Sequence, residues 1–402
     1  MKHTSPMIMI LVCLIGVLAC NGVSPSPNIE TSTTSPAEST ASESAAAEST
    51  SVIPTPTEPP TEAYIAYVQN DTLKMTHVIG GKAIDTQEYA TSQIRGGIYN
   101  VGWSPSGEYL TFTMYVNSFG HLFTVNVTDG SAPIDLGIAN DWAWSPDSKI
   151  LAFEHEYELW VFSPESGQSR GLTIHLGTDW LWFTPSFTPS GDTLIAAGIS
   201  GDTLDINGNS IYKLYRIPLD GSAANSYPPG NLTSITEQIN GPRPLALHFS
   251  PDGTKMAITS TVYSDGCASE TKYYIGNADG SDLHPISMPS LASFENPSEK
   301  IFFLGDSLAW AHQSDDFWIN GWVRDCTEIN GMKGGPQISH MTLDGQEQEI
   351  IPGTYNHLSF DPSGTLLGVV KRLIPTPHVQ VLGLDGNLVI DLGEGDYAAM
   401  KP

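Results

Sequence analysis

Basic residues are scarce in this chain: 17 Lys and Arg stand against 44 Asp and Glu in 402 residues, a formal charge of −27. A nucleic-acid binder needs a basic face to neutralise phosphates, so that class is excluded, and adhesion to anionic lipid is disfavoured for the same reason. Charge of either sign is thin, at 15% of residues, which argues against a coiled coil or a helical bundle rich in Lys, Glu and Ala. No apolar run reaches the length of a spanning helix. Catalytic signatures are lacking too. There is no Gly-x-Ser-x-Gly elbow coupled to a hydrolase domain, no His-Glu-x-x-His and no phosphate-binding glycine loop, and the histidines are scattered singly. What the chain has is glycine (38), proline (29) and 9% aromatics, a composition suited to short strands and tight turns.

The N-terminus carries Lys2, then an apolar run from Met7 to Ala19 that ends at Cys20. The run has signal-peptide length. Val17-Leu18-Ala19-Cys20 resembles the bacterial lipobox, in which the cysteine is lipidated and becomes the new N-terminus; the other reading is an ordinary secretory signal. Residues 1–19 are therefore expected to be a lipoprotein signal peptide. Residues 20–62 are rich in Ser, Thr, Pro, Ala and Glu and cannot bury enough apolar surface to offset ordering entropy. They are expected to form a disordered stalk reaching roughly 35 Å. Residues 63–402 remain for the fold, with 16 basic and 38 acidic side chains and a formal charge of −22.

Within 63–402 a phrase recurs: an aromatic, then Ser/Thr-Pro-Asp/Ser-Gly, then an apolar strand. It reads Gly102-Trp103-Ser104-Pro105-Ser106-Gly107, Ala143-Trp144-Ser145-Pro146-Asp147-Ser148 and Ser186-Phe187-Thr188-Pro189-Ser190-Gly191. It returns as His248-Phe249-Ser250-Pro251-Asp252-Gly253, degraded as Ala309-Trp310-Ala311-His312-Gln313-Ser314, and clearly as Ser359-Phe360-Asp361-Pro362-Ser363-Gly364. Proline presets φ for the turn and glycine tolerates the rest of it. A second turn follows each copy at some distance, often Asp-Gly as at Asp129-Gly130, Asp279-Gly280 and Asp385-Gly386. Four short antiparallel strands per unit make the blade of a β-propeller.

The phrase and the later Asp-Gly turn resemble the WD40-like propeller repeats of the TolB family, over nearly all of residues 64–402. The resemblance implies an all-β propeller; a stalk stands here where that family carries an α/β domain. Ile65-Ala66-Tyr67 matches a second strand, not an inner one, and Ala399-Met400-Lys401-Pro402 aligns with Gly102-Trp103-Ser104-Pro105. The C-terminal strand is thus expected to complete the first blade, giving seven four-stranded blades. Six is the alternative, if residues 64–95 or the unit around Trp310 fail to form one.

In such a ring the Ser-Pro-Asp-Gly turns lie on one face. The other face receives the longer segments Gly198–Ser210, Ser226–Pro244, Thr261–Thr271, Pro289–Lys300 and Gly321–Pro336, and long loops on a rigid scaffold commonly bind. On that side the inner strands begin at Asn100, Asp141, Thr184, Ser307, His357 and Tyr397, a polar ring around the channel mouth suited to a small ligand, a metal or water. Trp103, Trp144 and Trp310 repeat at one blade position and read as inter-blade packing, and packing is also favoured for Trp318 and Trp322. Asp202, Asp205, Asn207 and Asn209 resemble part of a calcium loop, with Glu154, Glu156 and Glu158 on the neighbouring hairpin; an Asx-stabilised turn without metal is the favoured alternative. No other cofactor is expected.

Cys267 and Cys326, the cysteines of the folded region, lie in equivalent loops of consecutive blades. Export favours a disulfide between them, closing a loop worth roughly 4 kcal/mol in the chain-entropy model, and two unpaired thiols are the alternative. Taken together, these features point to a lipid-anchored extracytoplasmic propeller, expected to be a monomer, that binds an envelope protein or peptide without catalysis. The competing reading is a propeller hydrolase or lyase using acidic, calcium-bound residues at the mouth.

Overall fold

The computed structural model describes residues 62–173, 180–200, 213–219, 243–263, 269–286, 301–311, 315–325, 331–373 and 376–402. They form seven antiparallel sheets and, among the described residues, no helix. The first blade opens with β1 (Glu62–Gln69), β2 (Thr72–Ile79) and β3 (Lys82–Thr91). The second holds β4 (Ile98–Trp103), β5 (Tyr109–Val116), β6 (Phe119–Asn126) and β7 (Ile134–Ile138). The third holds β8 (Trp142–Trp144), β9 (Leu151–His155), β10 (Glu158–Ser163) and β11 (Gln168–Gly171). In the fourth, β12 (Trp180–Phe187), β13 (Thr193–Ser200) and β14 (Lys213–Pro218) are described. The fifth holds β15 (Arg243–Phe249), β16 (Lys255–Tyr263), β17 (Ser269–Asn277) and β18 (His284–Ile286). The sixth holds β19 (Ile301–Trp310), β20 (Asp316–Asp325), β21 (Gly331–Thr342) and β22 (Glu347–Pro352). The seventh holds β23 (Tyr355–Phe360), β24 (Leu366–Lys371), β25 (His378–Gly383) and β26 (Leu388–Glu394), and β27 (Asp396–Met400) returns to the first.

Burial follows the position of a strand in its blade. Second strands are covered on both sides, so they carry near-continuous apolar runs such as Leu194-Ile195-Ala196-Ala197. Side chains alternate across the sheet: Leu194 and Ala196 pack towards the third blade, Ile195 and Ala197 towards the fifth. Fourth strands face solvent, and β3 is exposed along nearly its whole length. Seven apolar clusters result, one between each pair of successive blades.

The recurrent turn repeats the same chemistry. Ser104 N–H donates to Tyr109 O (2.9 Å), Gly107 N–H to Ser104 O (2.8 Å) and Tyr109 N–H to Ser104 Oγ (3.0 Å). Ser145 and Ser250 repeat the hydroxyl bond with Ile150 and Lys255 at 2.9 and 3.0 Å, and Asp361 substitutes a carboxylate that accepts from Leu366 N–H at 2.6 Å. Glycine is required where φ is left-handed, +69° at Gly107 and +73° at Gly253, and Ser148 bears the same conformation at +60°. The degraded sixth copy keeps the backbone bond, Ala311 N–H to Asp316 O at 3.1 Å, and its alanine has no hydroxyl to offer in place of the serine.

The repeated tryptophans fasten blades together. Trp103 Nε1 donates to Ala399 O (3.0 Å), Trp144 Nε1 to Thr111 Oγ1 (3.0 Å) and Trp310 Nε1 to His248 O (3.2 Å), each reaching the preceding blade. Trp318 is buried and stacks on His340 at 4.6 Å. Ring closure follows the expected register: Ile65 pairs with Met400, Ala66 with Ala399 and Tyr67 with Ala398. The returning strand also reaches the seventh blade. Ala398 and Met400 enter its apolar cluster with Val370 and Val381, and Met400 N–H donates to Ser359 Oγ at 3.0 Å.

Two of the segments read as loops are largely strand. Strands β16 and β17 pair out to Tyr263 with Ser269, and β20 and β21 out to Asp325 with Gly331. Thr261-Val262-Tyr263 continues a β-branched and aromatic run, so the ladder extends beyond the blade. Cys20, Cys267, Cys326 and the calcium-like stretch Asp202, Asp205, Asn207 and Asn209 lie outside the described residues.

Deleting residues 396–402 unpairs the inner edge of β1 and empties part of the cluster between blades seven and one. A sharp fall in melting temperature is expected, and Met400→Ala alone should cost about 3 kcal/mol by urea unfolding. A second expectation concerns acid. The Ser145 hydroxyl holds the Asp147 carboxyl below its usual value, and the hydroxyl and N–H of Ser281 do the same for Asp279. A carboxyl lowered on folding stabilises above its unfolded value, and that contribution is lost as pH falls through the folded value. Thermal scans should show stability declining below about pH 4, with a shallower decline in the double variant Asp147→Asn, Asp279→Asn.

Candidate functional site at the channel mouth

The residues expected at the mouth share a backbone feature. Pairing of the inner strand with its neighbour slips between Tyr99 and Gly102, Phe183 and Ser186, Gly305 and Leu308, and Asn356 and Ser359, and again where β27 passes Tyr67 and Val68. Each slip is a β-bulge. Asn100, Thr184, His357 and Tyr397 sit in these bulges with φ of +54°, +52°, +57° and +54°. Asparagine tolerates that region; a β-branched threonine and two bulky rings do not adopt it without outside support.

The support comes from neighbouring blades. Asp141, just ahead of β8, accepts from the bulged Thr184 N–H through Oδ2 at 3.2 Å. Asn100 Nδ2 donates to Asn140 O (3.2 Å), and Asn140 Nδ2 to the buried Glu154 Oε2 (2.9 Å). Ser307 Oγ accepts from Leu358 N–H at 3.1 Å, and Asn320, fully buried, spans from Ser307 N–H (2.8 Å) to Tyr355 O (2.7 Å). The rings of His357 and Tyr397 pack at a tilt of 43°, centres 4.5 Å apart. The mouth residues therefore belong to a girdle that fixes the blades. Glu154 is also committed, accepting from Tyr157 N–H as well as Asn140, and Glu158 accepts from the Thr173 hydroxyl at 2.5 Å. Among the described residues no three His, Cys, Asp or Glu side chains converge to hold a metal.

Behind the mouth lies a cavity of about 780 Å³. Asn100, Asp141 and Thr184 border it at one end and Pro105, Pro146 and Pro251 at the other. Ser307, His357 and Tyr397 are not part of its lining. They sit instead in a polar and aromatic corner across blades six, seven, one and two. There burial pushes the Asp396 carboxyl up, opposed by His357 and Arg372, and burial beside Tyr115 pushes Tyr99 up to about 12.

Two features escape the sequence pattern. One is the rim, where second-to-third hairpins turn through pairs of left-handed residues, Asn117-Ser118 and Glu156-Tyr157. These type I′ geometries present Tyr115, Phe119 and Tyr157, exposed at 41%, 58% and 50%. The other is His248 in the cavity wall; the aligned repeat does carry its signal, since the position holds Gly, Ala or Ser in every other inner strand. Gly167-Gln168-Ser169-Arg170-Gly171 spells a nucleophile elbow but ends on the outer strand β11, where Ser169 pairs with Phe162. A strand-to-helix turn is what the chemistry requires.

If Asp141 acts as a girdle residue, Asp141→Ala should destabilise the chain by about 1–2 kcal/mol in urea unfolding, since it strips the acceptor from a strained bulge. Asp141→Asn, which keeps the oxygen, should recover most of the loss.

No protein-family model matches the chain, and no curated protein matches it. Solved structures do. Oligogalacturonate lyase in complex with manganese superposes with a TM-score of 0.51 at 12% identity, covering 81% of this chain and 83% of its own. The β-propeller domain of Cps50 (Swd1) from Myceliophteria thermophila gives 0.51 at 12%, covering 77% and 90%. TolB from Acinetobacter baumannii gives 0.42 at 16%, covering 85% and 67%. At these identities the likeness is one of fold, and the fold is a β-propeller.

Proposed function

We propose that this chain is a non-catalytic propeller, anchored through Cys20 and the 20–62 stalk on the outer side of a cell membrane, that binds a protein or peptide of the envelope. The observation that carries the proposal is the rim. Tyr115, Phe119 and Tyr157 stand exposed on tight hairpins around the mouth, and aromatics on rigid supports supply much of the energy of protein interfaces. Tyr157 holds φ at +68° and packs edge-on against Phe183 at 5.8 Å, so its exposure is bought with backbone strain. The mouth carboxylates serve the girdle, which favours binding over acid–base chemistry at this place. With −22 on residues 63–402, the fitting partner is a segment that mixes apolar and basic side chains. A disulfide between Cys267 and Cys326 would staple the fifth and sixth blades on the same face.

Photo-crosslinking in cells from the rim of the full chain tests this. A discrete envelope partner should be captured by the native chain and lost in the double variant Phe119→Glu, Tyr157→Glu, with melting temperature preserved. Cys20→Ala should move the chain from the membrane to the soluble fraction. Capture that survives the rim variant would sink the rim assignment, and membrane retention of Cys20→Ala would sink the anchor.

A further inference from the structure

The cavity behind the mouth has a feature that neither the girdle nor the rim uses. At the position of His248 the other inner strands carry Gly102, Ala143, Ser186, Ala309, Ser359 and Ala399. His248 is exposed and lines the cavity together with four of them, Gly102, Ala143, Ser186 and Ala309. It is accessible from the lumen, and the protein packed around it pushes its imidazole below the ordinary histidine value. Its ring makes no hydrogen bond to a described residue; its backbone is paired in the β15–β16 ladder, and its carbonyl oxygen accepts from Trp310 Nε1.

We propose that the channel is a binding site for a small, uncharged, amphipathic organic molecule whose single polar group hydrogen-bonds the His248 imidazole. The size fits: about 780 Å³ falls within the range of pockets that enclose such molecules. The walls near His248 supply the apolar contact through Leu247, Phe249, Leu308 and Trp310. Charge is disfavoured on two counts. Desolvation that depresses an imidazolium also penalises an ammonium or carboxylate guest, and Asp141 at the entrance opposes an anion further. A neutral imidazole donates from one nitrogen and accepts at the other, so it serves a hydroxyl, an amide or a carbonyl equally. This site is independent of the rim, and a failure of either leaves the other standing.

Three probes of one shape and different charge make the test: 4-methylbenzyl alcohol, 4-methylbenzoate and 4-methylbenzylamine. Each is titrated into the full chain at pH 7.5, followed through the imidazole nitrogen signals of His248 and through tryptophan fluorescence. The alcohol should bind and shift the His248 signals, with both ions at least tenfold weaker. His248→Ala should bind the alcohol about fivefold more weakly, the loss of one hydrogen bond, and His248→Phe, which fills the lumen, should not bind it. Alanine occupies this position in three other blades, so the first variant is expected to fold, and its melting temperature checks this. Equal binding of the three probes, no shift at His248, or unchanged affinity in a folded His248→Ala would overturn the proposal.

Discussion

Every blade of this propeller depends on burial against its neighbours. A single four-stranded blade has two apolar faces and cannot cover either alone; a neighbour must cover each. The demand passes around the ring and is met only when the last blade meets the first. Strand β27 meets it from two sides, by pairing with β1 and by lending Ala398 and Met400 to the cluster shared with the seventh blade. The ring is therefore closed by apolar burial and main-chain hydrogen bonds together, and the inner edge of the first blade is covered.

Closure of this kind places strain and polarity where the blades converge. Inner strands bulge at the mouth, and residues of adjacent blades hold the bulges: Asp141 on Thr184, Ser307 on Leu358, Tyr397 against His357. Polar side chains at a channel entrance invite a catalytic interpretation. Their hydrogen bonds give them a structural task first, since a left-handed threonine or tyrosine persists only when its surroundings over-determine it. Surfaces available for recognition then lie outward on the hairpin rim and inward at His248.

The fold was legible because its signal is local and repeated. Proline, a hydroxyl or carboxylate, and a glycine (Ser148 in the third blade) at fixed offsets specify the same turn in every clear copy, and an aromatic two residues before each proline marks the inner strand. Even blade closure could be read, because Ala399-Met400-Lys401-Pro402 repeats the phrase at the point where the first blade lacks it. Less legible were the ends of the hairpins: β20 and β21 run on through residues read as loop, since pairing there depends on what the partner strand offers.

Residue identity and spacing by themselves determined the blade, its turns and the order in which the chain closes, and favoured seven blades over six; the structure settled the count. Tertiary structure alone decided what the mouth residues do. A bulge adds a residue to one strand and changes which side chains face each way, so spacing placed Asn100, Asp141, Thr184, Ser307, His357 and Tyr397 at one level without telling which line the cavity. The first three do; the others turn to a separate corner. His248 was visible in the alignment only as an odd letter. Its meaning comes from the lumen, which exists once seven separate strands have been brought around one axis.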